Sequence, residues 1–170
     1  MIRPVPRRPR LFLTFLFLLA AFPACAEFLW VAVTFEDIGC VSCVDSLQGR
    51  LARVRGVEKV EVDAAKRTAT LHLQPGNRVR LGPLLSRITQ DGTKVTGVVV
   101  SAQGTIESTQ EGLAFQPSGL SQPYRLQLPP PAKIEPRPGA VYSIRGTVED
   151  AGTGEPLLKA ESAYERHKPE

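Results

Sequence analysis

Residues 28–57 read FLWVAVTFEDIGCVSCVDSLQGRLARVRGV, and this stretch decides the fold. It opens with apolar, β-branched and aromatic residues in which Val31, Val33 and Phe35 alternate, a pattern that predicts a largely buried strand. After a short loop the apolar residues recur every three or four positions, which predicts a helix with one apolar face that Gly56 ends. The stretch therefore predicts a strand, a loop and a helix in that order.

The residues that follow complete a recognisable order of elements. Residues 57–62 and 69–73 predict a second and a third strand joined as a hairpin. Residues 81–88 predict a second amphipathic helix, and residues 94–100 predict a last strand. The order βαββαβ over residues 27–101 predicts an α+β, ferredoxin-like sandwich with both helices on one face of a four-stranded antiparallel sheet.

The chain changes character after residue 101. Residues 129–138 hold five prolines and predict an extended or irregular segment. Alternating apolar residues at 124–128 and 142–148 predict short strands on either side of it. We expect residues 102–170 to form a Pro-rich, β-containing C-terminal extension with a frayed tail from residue 161. Its strands are expected to pack on the first domain or on each other around the proline segment.

The N-terminus has the layout of a secretory signal peptide. An arginine-rich start is followed by the 12-residue apolar run 11–22 and by small residues before Ala26. The run is shorter than the roughly 20 residues that a bilayer-spanning helix needs. We predict that residues 1–26 are removed after Ala26 and that the protein is periplasmic or secreted. The alternative is that Cys25 belongs to a lipobox and carries a lipid anchor.

The net charge excludes one class of partner. The formal charge is +4, and the first ten residues include four arginines. Without them the basic and acidic residues of the chain are equal in number. A basic surface for nucleic acid is therefore not expected.

The cysteines point to a site in the loop after the first strand. The chain has three cysteines, and the two outside the leader are Cys40 and Cys43. A spacing of two residues lets both sulfurs converge on one soft ion, and the start of a helix favours the thiolate form. A CxxC pair alone also fits thiol–disulfide exchange or a structural disulfide.

The surroundings of the pair resemble the heavy-metal-associated domains of copper chaperones and of the periplasmic mercury-binding protein. In that family a Gly-Met-Thr-Cys-x-x-Cys loop follows the first strand, and residues 37–43 stand in its place. The family's Gly-Val between the first helix and second strand matches Gly56-Val57, and its Asp-x-Gly element is approached at residues 90–93. The resemblance covers residues 28–101.

Three positions depart from the family pattern. Ile38 stands where the family has a methionine that packs beneath the metal loop, and it keeps an apolar side chain there. Asp37 replaces a glycine and adds an acidic group near the loop. Thr93 replaces the aromatic residue or lysine that shields the ion, which implies a more exposed site or a changed selectivity.

The resemblance implies a carrier that binds a metal ion at Cys40 and Cys43 and is not an enzyme. Two thiolates without a third soft ligand suit Cu(I) first, with Hg(II) and Zn(II) as alternatives. Met1, the only methionine, lies in the leader, and His72 and His167 are expected to be surface residues. The expected partner is a membrane metal transporter or another thiol-containing metal protein, which takes the ion by ligand exchange.

Two other interpretations of the cysteine pair stay open. Thiols of exported proteins become oxidised unless a metal or a reductant protects them. The pair could therefore form a disulfide in a structural or interaction module. A thiol–disulfide redox protein would also place CxxC at the start of a helix. Against the redox protein, Trp30 lies within the first strand and not beside Cys40.

Overall fold

The computed structural model describes residues 27–36, 41–151 and 155–166. The predicted signal peptide with Cys25 lies outside the described residues, as do residues 37–40 with Cys40, and His167. No helix in the described part of the chain is both long enough and apolar enough to cross a membrane.

The described residues form two helices and eight strands. In chain order these are β1 (Phe28–Phe35), α1 (Val41–Ala52), β2 (Val57–Asp63), β3 (Thr68–Leu73), α2 (Leu81–Thr89), β4 (Val95–Thr109), β5 (Gly112–Pro117), β6 (Tyr124–Gln127), β7 (Tyr142–Glu149) and β8 (Leu157–Glu165).

The first part of the chain forms the predicted ferredoxin-like α+β unit. Its strands lie in the order β2-β3-β1-β4, and every neighbouring pair is antiparallel. Helix α1 contacts both β2 and α2, and α2 contacts β4. The two helices therefore lie on one face of this sheet, as the sequence predicts.

Alternation along the strands supplies the core between the sheet and the helices. Val33 and Leu71 face the helices and have no exposed surface. Leu47 of α1 is 1% exposed, and Ile88 of α2 is fully buried. These two leucines, the valine and the isoleucine are among the core residues that the apolar periodicity predicts.

Strand β4 continues beyond the end that the sequence predicts. Apolar alternation predicts a strand ending at residue 100, whereas β4 ends at Thr109. The strand pairs with β1 from Val95 to Ala102 and with β5 from Gly104 to Thr109. Along residues 99–104 its other edge pairs with β7. A single strand therefore belongs to both halves of the molecule.

The strands after residue 101 close into a ring. Strand β4 pairs with β5, β5 with β6, β6 with β8, β8 with β7, and β7 with β4 again. The pair β6 and β8 is parallel and the others are antiparallel. Residues 161–165 belong to β8, and residues 162–165 pair with β7, so the frayed tail expected from residue 161 is wrong for this stretch. Residues 129–138 contain neither helix nor strand.

Two glycines let neighbouring strands of this ring approach closely. A Cβ atom built on Gly104 of β4 would lie 2.2 Å from the carbonyl oxygen of Gln116 in β5. A Cβ atom on Gly146 of β7 would lie at the same distance from the carbonyl oxygen of Lys159 in β8. No real side chain tolerates such a contact, so the ring depends on glycine at both positions.

One hydrophobic core runs through both halves. The buried residues form a single cluster that includes Phe28 of β1 and Tyr124 of β6. The two rings meet edge to face, with centroids 6.0 Å apart. Desolvation by burial raises the pKa of the Tyr124 hydroxyl to about 12, so this residue stays uncharged at neutral pH.

Candidate metal centre

Cys43 is the cysteine of the predicted pair that the structure describes. It is the third residue of α1 and is exposed to solvent. The helix begins at Val41, just before the first of the apolar residues that recur every three or four positions. This start places Cys43 in the first turn. The helix dipole favours a negative charge in that turn, so the reduced sulfur is favoured as a thiolate.

In this structure the sulfur of Cys43 is disulfide-bonded. The other two cysteines of the chain, Cys25 and Cys40, lie outside the described residues. A sulfur in a disulfide bond is not a thiolate ligand, so metal binding at Cys43 requires reduction first.

Two other segments border the end of β1 that leads into the cysteine loop. The Phe35 N–H donates a hydrogen bond of 3.0 Å to the carbonyl oxygen of Arg67, in the turn between β2 and β3. The Glu36 N–H donates one of 2.9 Å to the carbonyl oxygen of Lys94, which precedes β4. The Lys94 ammonium also lies 3.2 Å from the Glu36 carboxylate. The cysteine loop therefore leaves the sheet between two fixed segments.

Asp91 fixes the second of these segments. One carboxylate oxygen accepts hydrogen bonds from the Thr93 hydroxyl at 2.7 Å and the Thr93 N–H at 3.1 Å. The other oxygen accepts one of 2.5 Å from the guanidinium of Arg50 in α1. These contacts, the Thr93 hydroxyl first, lower the pKa of Asp91 to about 2. The segment that carries Thr93 is thereby tied to the helix that carries Cys43.

Arg50 also brings a buried polar atom into this arrangement. Its Nε atom is buried and has no hydrogen-bond partner among the described residues. A buried polar group without a partner costs stability, so the ion pair with Asp91 has to offset part of that cost. The sequence contains no signal for this network, since Arg50 and Asp91 are 41 residues apart.

The described histidine lies away from the cysteine site. His72 of β3 pairs with Trp30, whereas Thr68 of the same strand pairs with Thr34 near the end of β1. At 3.3 Å per residue, His72 is about 13 Å further from the cysteine loop than Thr68. It is half-buried on the sheet face opposite the helices. Within the described residues no three histidine, cysteine, aspartate or glutamate side chains are grouped so that they could hold a metal ion.

Comparisons with known proteins agree with the resemblance of the sequence. Residues 32–89 match the family described as heavy-metal-associated domain. This range runs from β1 to the last residue of α2 and includes both cysteines of the pair. No curated protein matches the chain.

Among solved structures, one from a study named "Crosstalk between Cu(I) and Zn(II) homeostasis" is similar to this chain. It is 21% identical over 39% of this chain and 94% of that chain, with a TM-score of 0.36. A likeness of that size carries no argument about function.

Proposed function

We propose that the chain carries one soft metal ion between the thiolates of Cys40 and Cys43, because residues 32–89 match the family described as heavy-metal-associated domain. The observation that carries the proposal is the position of Cys43. Cys43 is an exposed residue in the first turn of α1, three residues after Cys40 in the sequence, where the helix dipole favours the thiolate of the reduced sulfur.

The donor set supports Cu(I) as the ion. Two thiolates suit a linear soft ion, and no third sulfur ligand is available because Met1 and Cys25 belong to the predicted leader. Hg(II) fits the same two ligands. Structural Zn(II) prefers four protein ligands, and no cluster within the described residues supplies the missing ones.

Transfer to a partner follows from the same low coordination. An ion held by only two sulfurs leaves room for an incoming thiolate, which adds before either original sulfur departs. The receiving protein in this proposal is a membrane metal transporter or another thiol-containing metal protein outside the cytoplasm, because the predicted leader directs the chain to export. The chain in this role is a carrier and not a catalyst.

Anaerobic titration of the reduced protein tests the proposal. We expect one Cu(I) to bind for each chain after reduction, and none to bind with high affinity before it. The double substitution Cys40→Ser and Cys43→Ser should abolish high-affinity binding, because hydroxyls are poor ligands for a soft ion. Ser46→Ala, at another exposed position of α1, is the matched control and should bind as the wild type does. Equal affinity of the double variant and the wild type would contradict the proposal.

The disulfide of Cys43 supports a second candidate, a thiol–disulfide redox protein. In that role the reduced pair would pass two electrons to a substrate disulfide and return to the bonded form. An insulin-reduction assay and Cu(I) transfer to a dithiol acceptor, run on one preparation, separate the candidates. Transfer without catalytic insulin reduction supports the carrier, whereas catalytic turnover without transfer supports the redox protein.

A further inference from the structure

Four exposed arginines lie on two loops that contact each other beyond the C-terminal end of α1. The Gly56 carbonyl of the first loop accepts a hydrogen bond of 2.9 Å from the Gln74 N–H at the start of the second. A Cβ atom on Gly56 would lie only 3.1 Å from the Cβ of Asn77. We call the four residues the arginine patch: Arg53, Arg55, Arg78 and Arg80.

Packing of the loops turns these side chains outward. Val54 packs against the core between Arg53 and Arg55, and Val79 is 5% exposed between Arg78 and Arg80. The arginines on either side are exposed, and none forms an ion pair within the described part of the chain. Four lysines elsewhere each pair with a carboxylate, namely Lys59, Lys66, Lys94 and Lys159.

Few acidic groups border the arginine patch, and one of them, Glu27, is 6% exposed with its carboxylate hydrogen-bonded to the Gly76 N–H. Glu58 is exposed and follows Gly56 by two residues. Asp150 is close to the second loop because it precedes Ala151, whose carbonyl oxygen would lie 3.5 Å from a Cβ atom on Gly82. Neither carboxylate pairs with an arginine of the patch among the described residues. The four guanidinium groups therefore keep an excess of positive charge.

The N-terminal segment of the chain enters the fold beside this patch. The Glu27 carboxylate accepts a hydrogen bond of 2.5 Å from the Gly76 N–H. The Asn77 side-chain amide donates one of 2.8 Å to the Phe28 carbonyl oxygen. The next residue, Leu29, is 36% exposed, which makes it one of two large exposed hydrophobic residues in the described part.

We propose that the arginine patch, together with Leu29, docks on the surface of an anionic phospholipid bilayer. Guanidinium groups bind phosphate through paired N–H donors, and clusters of about four or more basic residues are typical of surfaces that bind acidic headgroups. An exposed leucine beside them adds apolar contact at the headgroup boundary. The exposed apolar side chain of Leu29 favours a bilayer over an acidic protein as the occupant.

Docking in this way leaves the cysteine site accessible. Cys43 and the patch lie at opposite ends of α1, and nine residues of helix separate Cys43 from Ala52, which is about 14 Å. With the patch on the bilayer, the first turn of α1 points away from it. A soluble or membrane-bound partner can then reach the sulfur without displacing the protein from the surface.

Vesicle sedimentation with the chain from Glu27 to Glu170 tests this docking surface. This chain contains every buried core residue, from Phe28 to Ala160, and lacks the apolar run that would insert into vesicles by itself. Vesicles of phosphatidylcholine with 30% phosphatidylglycerol should bind the protein at low salt, and vesicles of phosphatidylcholine alone should not. Each arginine-to-glutamine change in the patch should weaken binding about fivefold.

A charge-matched control separates the patch from net charge. The fourfold variant with Arg53→Gln, Arg55→Gln, Arg78→Gln and Arg80→Gln should not sediment. A second variant removes the same charge elsewhere through Lys66→Gln, Arg125→Gln, Lys133→Gln and Lys159→Gln, and should bind as the wild type does. Equal loss in both variants, binding retained by the first, or tighter binding of polyglutamate than of the vesicles would overturn the proposal.

Discussion

The carboxylate of Asp91 holds the segment before β4 against α1. It accepts hydrogen bonds from Thr93 and from Arg50, and so connects the segment before β4 to α1. Its side chain is 37% exposed, so solvent screens the ion pair and the contribution to stability is small. The contacts are nevertheless specific, because three donors converge on two oxygens.

Asp91→Asn should lower the free energy of unfolding by about 1 kcal/mol at neutral pH. The pKa of Asp91 falls from 3.8 to about 2 on folding, so its contribution is complete above pH 3.8 and disappears as the pH falls through 2. Urea unfolding at pH 7 and pH 2 measures the difference between wild type and variant, which should be much smaller at the lower pH. Asp45→Asn, an exposed carboxylate of α1, is the control; a difference between wild type and Asp91→Asn that is undiminished at pH 2 would contradict the prediction.

Glu27 is the opposite case, because burial dominates over its hydrogen bond. The side chain is 6% exposed, and desolvation raises the pKa of its carboxyl although the Gly76 N–H lowers it. The charged form of Glu27 is therefore less favourable in the folded protein than in the unfolded chain. The resulting loss of folding stability grows as the pH rises through 4.5 and above.

Glu27→Gln should consequently stabilise the protein at pH 7 and have little effect below pH 4. The amide removes the buried charge and still offers an oxygen to the Gly76 N–H. Thermal unfolding across this pH range measures the effect, with Glu111→Gln in the exposed turn before β5 as the control. A variant less stable than wild type at pH 7 would contradict this prediction. It would mean that the hydrogen bond from Gly76 to a charged carboxylate stabilises the protein by more than desolvation costs.

At the scale of elements, the glycines of β4 differ sharply in their surroundings. Gly104→Ala would place a methyl group 2.2 Å from the Gln116 carbonyl oxygen, so β5 must move away. Gly97→Ala, in the same strand, meets no atom closer than 3.9 Å. We expect the first change to cost about 1 to 3 kcal/mol and the second almost nothing. Chemical denaturation of both variants measures this, and equal stabilities would contradict the close approach of the strands.

Periodicity predicted the elements whose alternate residues are large and apolar. Residues 28–100 are of this kind, and their strands and helices occur as predicted. The second half of β4 alternates as well, but its inward residues include Ala102 and Gly104, which carry little hydrophobic signal. Strand β8 was missed because a register shift opposite Arg145 and Gly146 interrupts its alternation.

The candidate site was predictable only in part, for a similar reason. The CxxC spacing and the start of the helix are local features, so the sequence placed Cys43 in the first turn of α1 correctly. The contacts that border the site join residues far apart in the chain, such as Phe35 to Arg67 and Arg50 to Asp91. No local pattern encodes them, because each depends on the closed sheet.

At the scale of the whole molecule, the two halves should unfold together. They share β4 and one core, which leaves no surface along which they could separate. Trp30 is the only tryptophan and lies in β1, whereas all three tyrosines, at positions 124, 142 and 164, lie in β6 to β8. Tryptophan and tyrosine signals therefore report on different halves and should give the same midpoint in denaturant. Two separate transitions would show that the halves are independent.

The shared strand also limits how this protein can be recombined with others. A fusion that joined residues 27–101 to foreign sequence would cut β4 in the middle and remove the pairing that β7 provides along residues 99–104. The exposed edge would then be open to pairing with other chains. A graft of a different βαββαβ unit onto the ring must supply a last strand long enough to continue to residue 109. Exchange of modules in this chain is therefore possible at the ends of β4, and not at the border between its two folds.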